Sequence, residues 1–156
     1  MLFRSTDYIA VGKVFPERIA EIVSGISRGC EKAGTALIGG ETAEHPGLLK
    51  EDEFDIAGAA TGAVDEENLL GEHRIKEGDL LLAMPSSGIH ANGFSLVRHI
   101  LENKKLKLDE SFEDSTLGEI LLKPTEIYTL DCLVLQKALK ENLHGDRKST
   151  RLNSSH

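Results

Sequence analysis

The sequence predicts a mixed α/β fold, and three observations carry that reading. Residues 16–33 place apolar side chains along one helical stripe. Residues 35–38 and 53–64 read as strands built from small and apolar residues. Leu80 to Met84 is a continuous apolar run stopped by Pro85, the pattern of a buried strand.

Taken in order, Met1-Leu2-Phe3 runs almost directly into a strand-like segment, an abrupt start for a chain. Pro16 to Ala33 is the clearest helix, with Ile19, Ile22, Val23, Ile26, Cys30 and Ala33 on one stripe. Pro16 suits the first helical position and Gly34 the stop. Gly25 and Gly29 each weaken a helix by up to about 1 kcal/mol relative to Ala, so a close neighbour is expected there. Thr35 to Ile38 is expected to be a short buried strand, with Gly39-Gly40 turning away from it. In residues 53–64 the small side chains point to a strand with a backbone or ligand nearby. Asp65 to Gly71 and Lys76 to Asp79 read as turns. After the strand at Leu80 to Met84, Gly93 to Asn103 forms a helix. Phe94, Val97 and Leu101 lie on one face of it, with Leu96 and Ile100 beside them. Lys104 to Ser115 is loop-like. Pro124 to Leu143 reads as a last helix, with Ile127, Leu130, Val134, Leu135 and Ala138 inward. There is no internal repeat. The natural boundary lies between Val64 and Asp79. Neither half has enough elements to close a core, so further chain or a partner must cover the exposed faces.

The chain has 156 residues, of which 40% are hydrophobic and 28% charged, as in a soluble globular protein. Only 4% are aromatic, so the core must be aliphatic. The net charge of -8 argues against nucleic-acid binding, which needs a basic face. A nucleotide substrate remains compatible, because backbone N–H groups and helix N-termini hold phosphates without net positive charge. Cys30 and Cys132 have no metal-ligand spacing and are expected to be buried free thiols. Without a signal peptide or membrane span, the protein is expected to be cytoplasmic. Residues 146–156 carry Asp146 against Arg147, Lys148 and Arg151 in an otherwise acidic chain. They read as a disordered, non-native tail.

Two segments could carry chemistry. In the first, Gly39-Gly40-Glu41-Thr42-Ala43-Glu44-His45, a strand delivers two glycines and then two carboxylates. If the segment turns helically, Glu41 and Glu44 share a face. Such a pair suits Mg2+, which takes hard oxygen ligands and keeps several waters. From spacing alone, a surface turn with solvated acids is the commoner arrangement. In the second, Pro85-Ser86-Ser87-Gly88-Ile89-His90-Ala91-Asn92-Gly93 joins a strand to a helix. Small residues let a backbone approach an anion, and Ser86, Ser87 and Asn92 add donors. His90 could orient phosphate or move a proton, or this could be an ordinary capped turn. The segment is neither GxGxxG nor GxxxxGK[ST]. His73 and His99 stand apart from other ligand types.

ALIGGETAEHPG, EFDIAGAATGAV and GDLLLAMPSSGIHANGFSLVRHIL, with DYIAVGKV before them and LLKPTEIY after, resemble successive signatures of the aminoimidazole ribonucleotide synthetase family. The resemblance spans roughly residues 6 to 145. It implies that residues 1–64 are the C-terminal part of an ATP-binding and dimerisation domain, and residues 65–145 the first part of a second α/β domain. It implies ATP-dependent ring closure of formylglycinamidine ribonucleotide, with Mg2+ as cofactor and a homodimer as the assembly. By the same resemblance Gly39, Gly40, Glu41, Thr42 and Asp55 bind ATP, and Glu41 and Glu44 bind metal. Ser86, Ser87, Gly88, Asn92 and Gly93 hold substrate or phosphate, and His90 is catalytic.

Departures accompany the match. His45 stands where the family usually has Met, and Arg4-Ser5-Thr6 replaces an apolar lead-in. The family's upstream ATP loops and a downstream glycine-rich loop are missing, so this stretch alone is expected not to turn over. Two other readings remain: an ATP-using enzyme of the same superfamily, such as selenophosphate synthetase or thiamine monophosphate kinase, or a non-catalytic dimerising fragment.

Overall fold

A computed structural model describes residues 3–146; the tail from Arg147 onward and the first two residues lie outside the described part. By contacts the chain divides into two compact units. One runs to Asp79 and resumes at Tyr128, and the other is Leu80–Ile127.

The first unit is built on a three-stranded sheet of order β2-β1-β3, with β1 at Phe3–Val11, β2 at Ala36–Glu44 and β3 at Phe54–Gly62. Strand β1 is central. It pairs parallel with β2 and antiparallel with β3. Helix α1, Pro16–Lys32, makes the crossover between the parallel pair. Pro16 opens α1. Gly34, at φ +63°, closes it with the Thr35 N–H on the Cys30 carbonyl and the Gly34 N–H on the Glu31 carbonyl, so the glycine lets the chain reverse while the last carbonyls are satisfied. Side chains of β1 alternate: Ile9 and Val11 are buried on the face toward α1, and Tyr8 on the opposite face is 38% exposed. Ile19, Ile22, Ile26, Cys30 and Ala33 are half-buried, as the stripe predicts, whereas Val23 falls at the exposed edge.

Gly39-Gly40 is not a turn. Strand β2 runs straight through it to Glu44. Pairing with β1 slips once, so that Ser5 pairs with Leu37 but Thr6 pairs with Gly39. Ile38 is the extra residue of this bulge. Two residues without side chains accommodate a local bend that would otherwise end a strand.

Helix α4, Thr129–Leu139, completes the first unit. It is shorter than the predicted Pro124–Leu143 helix at both ends: residues 124–128 are not helical, and the last turn tightens into 3-10 geometry at Lys140–Asn142. Thr129, Cys132, Leu133, Leu135, Gln136 and Leu139 are half-buried on it, while Leu130, Val134 and Ala138 are exposed. Apolar residues surround this helix, so periodicity could not single out the inward face. Both cysteines are free but half-buried rather than buried. Partial burial raises the Cys132 thiol above its ordinary value, with Asp146 and Asp131 adding to the rise.

The second unit holds helix α2 at Phe94–Lys104, a two-stranded ladder of β4 (Ser111–Phe112) with β5 (Ser115–Thr116), and helix α3 at Leu117–Leu121. Phe94, Val97 and Leu101 are half-buried on α2, with Leu96 and Ile100 exposed. The predicted strand at Leu80–Met84 does not form: the segment has no regular structure, and Leu80 and Leu81 are 92% and 97% exposed. A strand needs a neighbour for its backbone groups, and the described residues provide none here.

Candidate functional site

In the first unit the sheet sorts the predicted residues onto two faces. Paired residues in a ladder share a face. Glu41 pairs with Tyr8, and Asp55 pairs with Ala10. Glu41 and Asp55 therefore share the open face, away from α1. Thr42 pairs with Ile9, and Glu44 with Val11, so both belong to the face that α1 covers.

Glu41 and Glu44 consequently diverge. The predicted shared face assumed helical spacing, but in a strand residues three apart lie on opposite sides. No cluster of three metal-ligating side chains occurs among the described residues. Glu44 is engaged elsewhere. Its Oε1 accepts the Val14 N–H at 2.5 Å, which fixes the turn from β1 into α1. Asp55 Oδ1 accepts the N–H of Ile56 at 2.9 Å.

On the open face the Tyr8 hydroxyl lies 2.7 Å from His45 Nε2. The ring reaches that far because the residues it crosses, Ala10 and its ladder partner Ala43, are small. His45 thus has a definite partner that an apolar residue there would lack.

Asp7 was not anticipated from the sequence. It lies on the α1 face of β1, level with Gly40 on one side and Gly58 on the other. A Cβ on Gly40 would fall 1.7 Å from Asp7 Oδ1, so the carboxylate lies over the glycine. The one acid of β1, at the point where the strand passes from polar to apolar residues, was the available signal. Its glycine neighbours emerge only once the register is known.

The loop from His45 to Glu53 returns over the end of β1. Gly12 donates to the Glu53 carbonyl at 3.0 Å, and Arg18 donates to the Asp52 carbonyl at 3.1 Å. A Cβ on Gly12 would sit 1.8 Å from the Lys50 carbonyl oxygen, so only glycine fits. Between loop and strand end lies an open cleft of about 410 Å³, lined by Gly12, Lys13, Glu44, Pro46, Gly47, Leu49, Lys50 and Glu51. Lys13 pairs with Glu51 and Lys50 with Glu53. The Lys50 backbone N–H and ammonium hold the Glu53 carboxyl below the usual range.

In the second unit residues 85–93 form a folded turn. Gly88 has φ +134°, His90 +59° and Gly93 +86°. Ser86 Oγ donates to the Gly88 carbonyl and accepts the Gly88 N–H. Ser87 Oγ donates to the Pro124 carbonyl at 2.8 Å and accepts the Glu126 N–H at 3.0 Å. The Ser87 N–H donates to His90 Nε2 at 3.1 Å. The serine hydroxyls are thus committed inside the unit, and Ser87 ties the Pro-Ser-Ser-Gly turn to the Lys-Pro-Thr-Glu segment. Gly93, left-handed, precedes the first turn of α2 without a side-chain cap. Asn92, also expected among the ligand-binding residues, is exposed beside it.

A parallel βαβ crossover with a returning antiparallel strand and an acid-bearing β2 in one unit, and a Pro-Ser-Ser-Gly turn before a helix in the other, mark an α/β protein. The N-terminal domain of AIR synthase related proteins matches residues 3–64, and the C-terminal domain of the same proteins matches residues 76–145. The chain belongs to the AIR synthase related family. Among its relatives is a phosphoribosylformylglycinamidine cyclo-ligase of Geobacillus kaustophilus, 58% identical over 125 residues that cover 78% of this chain and 36% of the relative. Cyclo-ligases of Agathobacter rectalis and Pseudothermotoga lettingae are 55% and 52% identical, over 78% and 89% of this chain and 36% and 41% of theirs. The chain thus spans about 36–41% of the length of these relatives. No helix among the described residues is long and apolar enough to cross a membrane.

Proposed function

We propose that this sequence serves the ATP-dependent ring closure of formylglycinamidine ribonucleotide to aminoimidazole ribonucleotide. The observation that carries the reading is identity of 52–58% to relatives named as this cyclo-ligase, over stretches that reach most of the chain. The chemical need is plain. An amide oxygen is a poor leaving group and phosphate is a good one. The γ-phosphoryl group of ATP passes to the formyl oxygen, the amidine nitrogen attacks that carbon, and the C–O bond breaks to release phosphate. ADP is the other product. Positioning and charge neutralisation supply most of the acceleration.

Residues 1–64 belong in this reading to the ATP-binding and dimerisation domain, and residues 65–145 to the second domain. Glu41 and Asp55 serve the nucleotide from the open face. They stand on the two outer strands, on the order of 10 Å apart from strand spacing. Each therefore offers Mg2+ one carboxylate, which suits an ion that keeps its waters and takes phosphate oxygens. When bound, that ion neutralises phosphate charge. Glu44 is left out of the metal set, because it holds the β1–α1 turn. On β2, Gly39 shares the open face with Glu41, while Gly40 and Thr42 lie on the α1 face and serve the nucleotide only through the strand backbone. Ser86, Gly88, Asn92 and Gly93 frame the phosphate of the ribonucleotide. A second copy covers the open sheet face in a homodimer.

The test is a graft. Residues 3–145 replace the matching segment of the Geobacillus kaustophilus relative, and phosphate release from ATP is followed with and without formylglycinamidine ribonucleotide. Release that requires the ribonucleotide, and falls on the order of 100-fold in Glu41→Ala, is expected. A folded graft without substrate-dependent release would overturn the reading.

A further inference from the structure

From the hydrogen bonds of the 85–93 turn we infer that His90 is a positioning residue, neutral with its proton on Nδ1, and not the group that takes a proton in the reaction. The Ser87 backbone N–H points at Nε2 from 3.1 Å. A backbone N–H can only donate, so Nε2 must be the ring's acceptor. In a neutral imidazole the other nitrogen then carries the hydrogen. The ring's one in-plane lone pair is already occupied, so it can take a proton only by releasing Ser87.

The backbone supports the same role. His90 adopts φ +59°, a left-handed conformation uncommon for residues other than glycine and enriched in His, Asn and Asp. That conformation turns the ring back over the chain toward residue 87. Ser87 is also fixed from the other side, by the Pro124 carbonyl and the Glu126 N–H. Both Ser87 and His90 are half-buried in an otherwise exposed turn. The imidazole is therefore one strut of a frame that joins the Pro-Ser-Ser-Gly turn to the Lys-Pro-Thr-Glu segment. It acts on the ligand through the shape of the turn.

The activity arm of the test rests on the cyclo-ligase reading, and the spectroscopic arm does not. In the 156-residue chain labelled with 15N-histidine, the His90 ring is identified by its loss in His90→Asn. A pyrrole-type Nδ1 and a pyridine-type Nε2 are expected, with slowed exchange of the Ser87 amide. An Nε2–H tautomer, or a ring averaging freely between tautomers, would overturn the inference.

In the grafted enzyme, His90→Gln places an amide oxygen where Nε2 lies and can still accept from Ser87. His90→Asn places its amide near Nδ1 and cannot. Phosphate release within about threefold of the parent for Gln, with a loss on the order of 100-fold for Asn, is the expected pattern. Equal loss in both folded variants would reinstate proton transfer, since neither amide takes a proton. An inactive parent graft would sink the cyclo-ligase reading alone, leaving the tautomer spectrum to decide the role of His90.

Discussion

Gly12 shows how a single residue can be fixed by its surroundings. Its missing side chain makes room for the Lys50 carbonyl, and its N–H bonds to Glu53. Gly12→Ala should lower stability by about 1–3 kcal/mol, because backbone atoms must give way. Urea denaturation followed by circular dichroism would show it; an unchanged midpoint would mean that the loop is not held against the strand. His45→Met removes the partner of the Tyr8 hydroxyl at a partly exposed site, so the same measurement should register no more than about 1 kcal/mol. Acid should act through three carboxyls held below their usual range: Asp79 by the Lys76 N–H and then His144, Glu53 by Lys50, and Glu119 by Ser115 and Thr116. A depressed folded value gives stabilisation that is complete above the ordinary carboxylate range and lost as pH falls through the folded one. The folded signal should therefore hold to about pH 4 and decline below it. The triple variant Asp79→Asn, Glu53→Gln, Glu119→Gln should flatten that decline.

Among elements, α3 is the one most dependent on its first turn. Thr116 accepts the Glu119 N–H while Glu119 accepts the Thr116 N–H, a reciprocal cap on a five-residue helix. Thr116→Ala should cost about 1 kcal/mol and speed amide exchange at Glu119; unchanged exchange would show that packing alone holds the helix. Element type was legible wherever local signals agreed. Helix α1 shows its proline, its stripe and its terminal glycine in the sequence, and α2 shows its inward triplet. Strand β2 was legible only to Ile38, because two adjacent glycines carry the same signal in a turn and in a bulge. That ambiguity decided the site. A slip of one residue exchanges the faces of a strand, so the bulge at Ile38 puts Glu41 and His45 beside Tyr8 and sends Glu44 to α1. The candidate residues could be named from the sequence, but the faces on which the sheet groups them could not.

At the scale of the whole molecule, the shortage of buried surface dominates. Among the described residues the fully buried hydrophobic side chains are Ile9 and Val11. All of β3 is exposed, and so are Leu80, Leu81 and Leu82. Apolar area left in water contributes nothing to folding, whereas burial would supply roughly 25 cal/mol for each Å². Alone in solution, the 156-residue chain should bind a hydrophobic dye and sediment faster as its concentration rises, because exposed apolar surface favours association. A monomer at all concentrations with no dye uptake would contradict this. The sheet order also bears on synthesis at the ribosome. β1 is made before both of its neighbours, yet it is the strand that each of them must join. Until residue 62 has been translated, one edge of β1 has no partner, and throughout that interval a chaperone or a neighbouring nascent chain competes for it.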